Sequence, residues 1–156
     1  MRLPVANKIA QELMNKHLPR YWRWKLQYHN SITTWGWCRP IDQIISLSRP
    51  LILINSTRLL REVVLHEIAH AIVDRQHGNQ GHNPIWQEMA IKLGSSGKRL
   101  VEHTIDPPDR FVGFCNLCRR STTANQRYAY CKVCAIWSDS GEMSWDKHPF
   151  WESLPK

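Results

Sequence analysis

The chain has 156 residues, with 21 Lys and Arg against 13 Asp and Glu, and a formal net charge of +8 at pH 7. This length allows one main core and a small appendage. No run of about eighteen apolar residues occurs, which excludes a membrane-spanning helix. The first residues lack the apolar stretch of a signal peptide. We therefore expect an intracellular protein, either cytoplasmic and nucleoid-associated or nuclear, whose five cysteines are thiols rather than disulfides.

The positive charge is unevenly distributed along the chain. The first 61 residues hold ten Lys and Arg side chains against only Glu12 and Asp42. A basic surface beside a less basic segment suits a polyanionic partner such as nucleic acid. Solvated cations without any partner explain the same charge equally well, so charge leaves both readings open.

The N-terminal third predicts one helix and three short strands. Pro4 fits a first helical turn, and Val5, Ile9 and Leu13 follow at helical spacing up to a break near Pro19. The residues 22–28 then alternate between large apolar and basic or polar side chains, which predicts a strand with one buried face. We assign its aromatic face to the core, and its basic face supplies two nucleic-acid candidates, Arg23 and Lys25.

Two further strands are predicted at Ser31–Arg39 and Ile44–Ser48. Gly36 in the former indicates a bend or a close backbone approach. Cys38 has no cysteine or histidine at ligand spacing, so we interpret it as a small buried side chain. The apolar run 51–54 is compatible with either a strand or a helix.

The central motif is His66-Glu67-Ile68-Ala69-His70 within an otherwise apolar segment. In a helix, His66 and His70 lie one turn apart on one face, where they can bind one Zn²⁺. Glu67 between them can take a proton from a water molecule activated by the metal. The alternative is a core helix that carries these residues by chance, but a buried and unpaired Glu67 would be costly.

This helix should begin after an N-cap among residues 55–57 and end near Gly78. A further helix, 85–93, is predicted by the cap and first-turn pair Asn83-Pro84 and by Gly94 at its C-terminal end.

A catalytic zinc site usually has three protein ligands and one open position. Three residues compete for the third place. His77 lies about 10.5 Å beyond His70 along a continuous helix axis and could join only if the helix broke early. Glu88 would complete a two-histidine, one-glutamate site. His82 lies in a loop beside Gly81, where the chain can turn back toward the metal, and it is our preferred candidate.

A second metal site is predicted near the C-terminus. Two Cys-x-x-Cys pairs separated by twelve residues form a four-cysteine spacing typical of structural zinc, with the segment between them folded as a hairpin around Asn125-Gln126. The four ligands are Cys115, Cys118, Cys131 and Cys134. Zinc with no open position would stabilise a module too small to fold on its own core.

The segment 110–134 carries five basic residues and no acidic ones, with aromatic side chains between them. Such a ribbon could bind phosphates and stack on an exposed base, or it could serve only as a cap on the catalytic domain. The basic candidates are Arg110, Arg119, Arg120, Arg127 and Lys132.

The sequence therefore predicts an α+β fold in which helices pack on a small, mainly antiparallel sheet, followed by a four-cysteine zinc ribbon. Asp106-Pro107-Pro108-Asp109 has the composition of a boundary. We predict a catalytic domain at 1–105, a ribbon at 106–137 and a C-terminal tail at 138–156.

His66-Glu67-Ile68-Ala69-His70, followed by Gly81-His82-Asn83-Pro84 and Trp86, resembles the SprT-like metalloproteases, which include the Spartan-type DNA-dependent proteases. The upstream segments 36–39 and 45–49 resemble the strands before their active-site helix. The resemblance implies a zincin-like catalytic domain, His82 as the third ligand, Glu67 as the base, and one catalytic and one structural Zn²⁺.

The same resemblance implies an endopeptidase for DNA-bound or DNA-crosslinked proteins, activated by DNA that includes single strands, and hence a role in DNA–protein crosslink repair. We expect a monomer with no membrane partner. Two alternatives stay open: a zinc protease that is independent of DNA, and a non-enzymatic nucleic-acid-binding factor that keeps zinc for structure.

Overall fold

The structure, a computed structural model, describes residues 1–78, 81–100, 104–134 and 141–153. Two compact units are present, Met1–Pro107 and Pro108–Lys156. The predicted α+β fold class is confirmed. The boundary predicted between residues 137 and 138 lies outside the described residues. Within the described part of the chain, none of the helices combines the length and the apolar composition needed to span a bilayer.

Short polar side chains cap the N-terminal ends of α2, α3 and α4 in the first unit, whereas α1 follows Arg2 without a side-chain cap. Ser48, Ser56 and Asn83 each accept a hydrogen bond from the backbone N–H three residues further on, which satisfies a donor that the helix itself leaves free. The helices are α1 (Leu3–His17), α2 (Arg49–Ile54), α3 (Thr57–His77) and α4 (Pro84–Leu93). Gly78 and Gly94 end α3 and α4 with positive φ values of 74° and 96°, at the predicted positions.

The apolar run at 51–54, which the sequence left ambiguous, is helical because Ser48 caps it and Pro50 occupies its first turn.

The sheet of the first unit has the order β1-β3-β2 and contains β1 (Lys25–His29), β2 (Gly36–Arg39) and β3 (Ile44–Ser48). The pair β2–β3 is antiparallel and the pair β1–β3 is parallel, so this sheet is mixed. β2 lies at one edge of the sheet.

Two of the predicted strands are shorter than expected. β1 begins after Arg23, whose φ of 53° is left-handed and separates the strand from a 3-10 turn at Arg20–Trp22. The alternation of burial nevertheless extends from residue 22 to residue 28. β2 begins at Gly36 because Ser31 Oγ accepts the backbone N–H groups of Thr33 and Thr34 and so forms a turn.

Helix α3 is the centre of the first unit and packs against α1, α4 and the sheet. Its apolar residues Leu60, Val64 and Ile68 are fully buried at a spacing of four residues. They meet Ala6, Ala10, Leu13 and Met14 of α1 and Ile45 and Leu47 of β3.

The second unit contains an antiparallel sheet of order β5-β4-β6, with strands β4 (Phe111–Cys115), β5 (Ser121–Ala124) and β6 (Met143–Lys147), and a short helix α5 (Pro149–Glu152). The predicted hairpin around Asn125-Gln126 is wrong. β5 pairs with β4 instead, because the first cysteine pair itself forms the tight turn, with the Arg119 N–H bonded to the Cys115 carbonyl.

Candidate metal centre

Three histidines of the first unit converge on one point. His66 and His70 project from α3, and His82 comes from the loop before α4. His82 Nε2 lies 2.9 Å from His66 Nε2 and 3.2 Å from His70 Nε2. A tetrahedral zinc ion with Zn–N bonds of 2.0–2.1 Å holds its nitrogen ligands roughly 3.3 Å apart. The donor set and its spacing therefore fit zinc.

The other two candidates for a third ligand lie outside this cluster. Glu88 is exposed on α4, and His77 is exposed in the last turn of α3. Helix α3 runs unbroken to His77, so that side chain keeps the axial distance from His70 that a continuous helix imposes.

The histidines are uncharged at neutral pH. Burial, followed by the neighbouring His82, lowers the pKa of His66 to about 4. Burial, followed by the two other histidines, lowers the pKa of His70 to about 3, and burial also lowers the pKa of His82. A neutral imidazole keeps a lone pair for a metal ion, so the cluster is ready to ligate without first losing protons.

Trp86 packs against the rings of all three histidines. Its indole is 1% exposed and lies 4.6 Å from the ring centroids of His66 and His82 and 5.1 Å from that of His70. Asn83 caps α4 by accepting a hydrogen bond from the Trp86 backbone N–H, and this bond holds Trp86 in the first turn of the helix. The packing of Trp86 against the histidines was not predicted from the sequence. Its position, four residues after His82 and just inside a helix cap, could have suggested this role.

Glu67 is buried beside the cluster. Its exposed fraction is 5%, and burial raises its pKa to about 8. A Cβ atom on Gly36 would lie 2.9 Å from Glu67 Oε1, closer than such contacts allow. Gly36 therefore makes the close approach expected from the sequence, and its missing side chain leaves room for the carboxyl group.

These residues line an open cleft of about 290 Å³ between strand β2 and helix α3. The lining comprises Gly36, Trp37, Cys38, Pro40, His66, Glu67, His70, Val73, Asp74, Gly81 and His82. Cys38 is partly buried, and its pKa is raised by burial and then by the nearby carboxylates of Glu67 and Asp74. A thiol that holds its proton this firmly is a packing side chain rather than a nucleophile.

The four cysteines of the second unit form a second cluster. Cys115 Sγ lies 3.7 Å from Cys134 Sγ, and Cys118 Sγ lies 3.9 Å from Cys131 Sγ. Zn–S bonds of about 2.3 Å in a tetrahedron place sulfur atoms roughly 3.8 Å apart, whereas a disulfide needs about 2.05 Å. All four thiols are free, and their geometry fits a structural zinc ion.

Local backbone geometry prepares this second cluster. The backbone N–H of Cys118 donates to Cys115 Sγ and lowers the pKa of that thiol to about 7. Gly141 lies so close to Cys134 that a Cβ atom there would overlap the Cys134 Cβ. The Gly141 carbonyl accepts the N–H of Cys131, which ties the second cysteine pair to the segment before β6.

All seven residues predicted to bind nucleic acid are exposed. In the first unit these are Arg23, which ends the 3-10 turn before β1, and Lys25, the first residue of β1. In the second unit, three of the five pack a cation over an aromatic ring, at 4.6–5.6 Å from its centroid. The pairs are Arg110 with Trp151, Arg127 with Phe111, and Lys132 with Tyr128, while Arg119 and Arg120 follow the first cysteine pair.

The first unit combines an α+β fold with two histidines one helical turn apart and a third from the following loop, an arrangement that could hold a metal ion. These features are those of a metalloprotease-like domain. The model of the SprT-like family matches residues 6–106, which is more than half of the chain. The chain therefore belongs to the SprT-like family. A comparison with curated proteins gives no match.

Proposed function

We propose that this protein is a zinc-dependent endopeptidase that cleaves DNA-bound or DNA-crosslinked proteins. The observation that carries the proposal is the convergence of three neutral histidine nitrogens beside a buried glutamate in an open cleft. Membership of the SprT-like family supports the protease part of the proposal.

Four residues of the cleft carry the two roles that this proposal needs. His66, His70 and His82 would hold Zn²⁺, which supplies a Lewis acid that activates water and polarises the scissile carbonyl. Glu67 takes the proton from the attacking water and later delivers it to the leaving amine. Burial favours this exchange because it holds the pKa of Glu67 near the working pH.

Two zinc ions per chain are proposed, one in the histidine cluster and one in the cysteine cluster. Metal analysis should find about two zinc ions in the wild type and about one in either His82→Ala or Cys131→Ser. The two variants differ in which site they empty, so a loss of both ions from either variant would contradict independent sites.

DNA, including single strands, is proposed as the activating partner. The exposed arginines and lysines at the start of β1 and in the ribbon support phosphate binding, and the neighbouring aromatic rings suit base stacking. Arg119→Ala combined with Arg120→Ala should flatten the salt dependence of single-strand binding by about 0.7 in slope per lost phosphate contact. Lys16→Ala, on the exposed surface of α1, is the matched control.

The decisive experiment compares wild type, Glu67→Gln and the control Glu88→Gln, which changes an exposed glutamate of α4. Each is loaded with zinc, and cleavage of a basic protein is followed with and without single-stranded DNA. We expect DNA-stimulated cleavage by wild type and Glu88→Gln, and a rate roughly 10²–10⁴-fold lower for Glu67→Gln, the usual contribution of a general base.

The other outcomes identify the alternatives. Equal Glu67-dependent cleavage without DNA would indicate a zinc protease that is independent of nucleic acid. No cleavage by zinc-loaded wild type, together with salt-dependent DNA binding, would indicate a non-enzymatic nucleic-acid-binding factor.

A further inference from the structure

A second cavity lies beside the catalytic cleft along helix α3. It has a volume of about 290 Å³ and is bordered by the segment before β1, the turn between β2 and β3, and the C-terminal part of α3. Pro40 and Asp74 line both this cavity and the cleft that holds the three histidines. Because Asp74 follows His70 by four residues, the cavity begins about 6 Å, one helical turn, beyond a candidate zinc ligand.

Most of the lining of this cavity is apolar. Trp22 and Trp24 are half-buried and pack against the hydrophobic core, and Ala71 of α3 is fully buried. Ile41, in the turn between β2 and β3, lines the same cavity but is 98% exposed. An apolar group that entered the cavity would therefore remove the surface of Ile41 and of both tryptophans from water, which is favourable.

The charged groups in the lining balance one another. Asp74 contributes one negative charge and Arg75 one positive charge, while Gln43 is polar and uncharged. The Arg75 guanidinium lies 5.7 Å from the centre of the Trp22 ring, so a cation already occupies a face of this tryptophan. A lysine or arginine side chain of a ligand would meet that like charge. The lining therefore favours an uncharged, apolar group.

We propose that this cavity is a substrate-binding subsite that takes a large apolar side chain of the polypeptide cleaved in the neighbouring cleft. The inference rests on the proposed endopeptidase function and adds a substrate preference to it. An extended peptide advances about 3.3 Å per residue, so a span of about 6 Å corresponds to roughly two residues. The selected residue should therefore lie about two positions from the scissile bond.

The first test maps, by mass spectrometry, where zinc-loaded wild type with single-stranded DNA cleaves an unfolded basic protein that contains all residue types. We expect large apolar residues to be enriched at one fixed position near the cleaved bond. In peptides made from such a site, replacement of that residue by alanine should lower kcat/KM at least about tenfold, because loss of even one methylene from a hydrophobic pocket costs about 10–200-fold.

Two matched variants test the cavity itself. Ile41→Asp places a carboxylate at its exposed rim, and Ile91→Asp does so on α4, at an isoleucine that is 56% exposed and lies outside the cavity lining. Ile41→Asp should reduce the preference for the apolar peptide over its alanine counterpart from about tenfold or more to about twofold or less, because the bound side chain would desolvate the carboxylate. Ile91→Asp should keep the wild-type preference.

The second test does not depend on cleavage. Full-length Glu67→Gln protein, as purified, is titrated with the acetylated and amidated tripeptides Gly-Leu-Gly, Gly-Ala-Gly and Gly-Lys-Gly, and the isoleucine δ1 methyl signals are followed by NMR. The leucine peptide should shift the Ile41 signal more than the alanine and lysine peptides do, at equal concentration. The Ile91 signal should stay in place with all three peptides.

The outcomes separate this inference from the proposed function. If wild type cleaves nothing but the leucine peptide selectively shifts the Ile41 signal, the proposed function fails and the cavity remains a site for apolar peptide side chains. Cleavage without apolar enrichment, or an Ile41 signal that responds to the three peptides equally or not at all, would overturn the inference. Enrichment of lysine or arginine that is lost in Asp74→Asn would also overturn it, by assigning the cavity to basic side chains.

Discussion

Gly36 of the edge strand β2 lies directly against Glu67 of helix α3. The atoms nearest to a Cβ on Gly36 are Oε1 and Cγ of Glu67, at 2.9 and 3.0 Å, and Cγ1 of Val63, at 3.1 Å. The candidate general base thus owes its position partly to a missing side chain on another element. The sequence indicated that Gly36 had a special role, but only the three-dimensional structure identifies Glu67 as its neighbour.

Gly36→Ala should therefore impair cleavage more than zinc binding. The added methyl group would displace the Glu67 carboxyl group, whereas the three histidines have no contact with it among the nearest atoms. We expect a fall in kcat of at least about tenfold, equivalent to 1.4 kcal/mol in the barrier, with zinc content unchanged. Thr34→Ala, exposed just before β2, is the control. Wild-type kcat in Gly36→Ala would contradict the steric argument.

Glu67 should also make the stability of the metal-free protein depend on pH. Its pKa rises from 4.5 to about 8 on folding, so above pH 4.5 the unfolded state loses this proton first and stability falls until about pH 8. Glu67→Gln cannot titrate. In chelated protein it should be more stable than wild type by a few kcal/mol at pH 7.5, and the gap should narrow at pH 5, since each pKa unit corresponds to about 1.4 kcal/mol.

Melting curves followed by helical circular dichroism at both pH values would measure this difference, with Glu12→Gln as the control at an exposed site. A stability difference that is the same at pH 5 and pH 7.5 would show that Glu67 is not the group that titrates.

At the level of elements, helices were predicted well because their signals are local. The cap and end of α3 and of α4 follow from single residues such as Asn83 and Gly94, and both helices occur as expected. The glycine beside His82 suggested that this histidine could turn back toward His66 and His70. The distances within the three-histidine cluster, however, are known only from the tertiary structure.

The hairpin prediction failed because it was placed around the wrong turn. Strand β5 could pair with either neighbour in sequence, and it pairs with β4 across the cysteine turn, which residue propensities do not encode. The hydrogen bonds that Ser96 donates to Glu62 Oε1 join residues 34 positions apart, and no spacing pattern in the sequence indicates them.

Two helix caps offer a matched test of how an element supports the metal centre. Asn83 caps α4 directly after His82, and Ser56 caps α3 far from the histidines in sequence. Asn83→Ala and Ser56→Ala should each lower the free energy of unfolding by about 1 kcal/mol. Only Asn83→Ala should also weaken zinc binding, because it loosens the loop that carries His82. Equal zinc affinities in the two variants would contradict this coupling.

At the scale of the whole molecule, the two units differ in what holds them together. The first unit has a large apolar core around α3, whereas the buried cluster of the second, among the described residues, consists of three cysteines packed with Cys118 and Met143. A unit with so little apolar burial would depend on a bound metal ion for its folding free energy, and its four thiols could hold one.

Removal of zinc should therefore unfold the second unit and leave the first folded. In a ¹⁵N amide spectrum of the full chain, the signals of β4 and β6 should lose their dispersion after complete chelation, while those of α1 and β3 should stay dispersed. Added zinc should restore the original spectrum. Dispersed signals from Val112 and Gly113 in protein that contains no zinc would show that the second unit folds without its ion.

Different residues of helix α3 form the hydrophobic core and the candidate metal centre. Leu60, Val64 and Ile68 belong to the buried core cluster, while His66 and His70 belong to the candidate metal centre and are absent from that cluster. Mutation can consequently remove the chemistry during evolution without removing the fold. A descendant with exchanged histidines would keep its shape and its resemblance to the family. Family membership thus records descent, and each member's activity has to be judged from its own ligands.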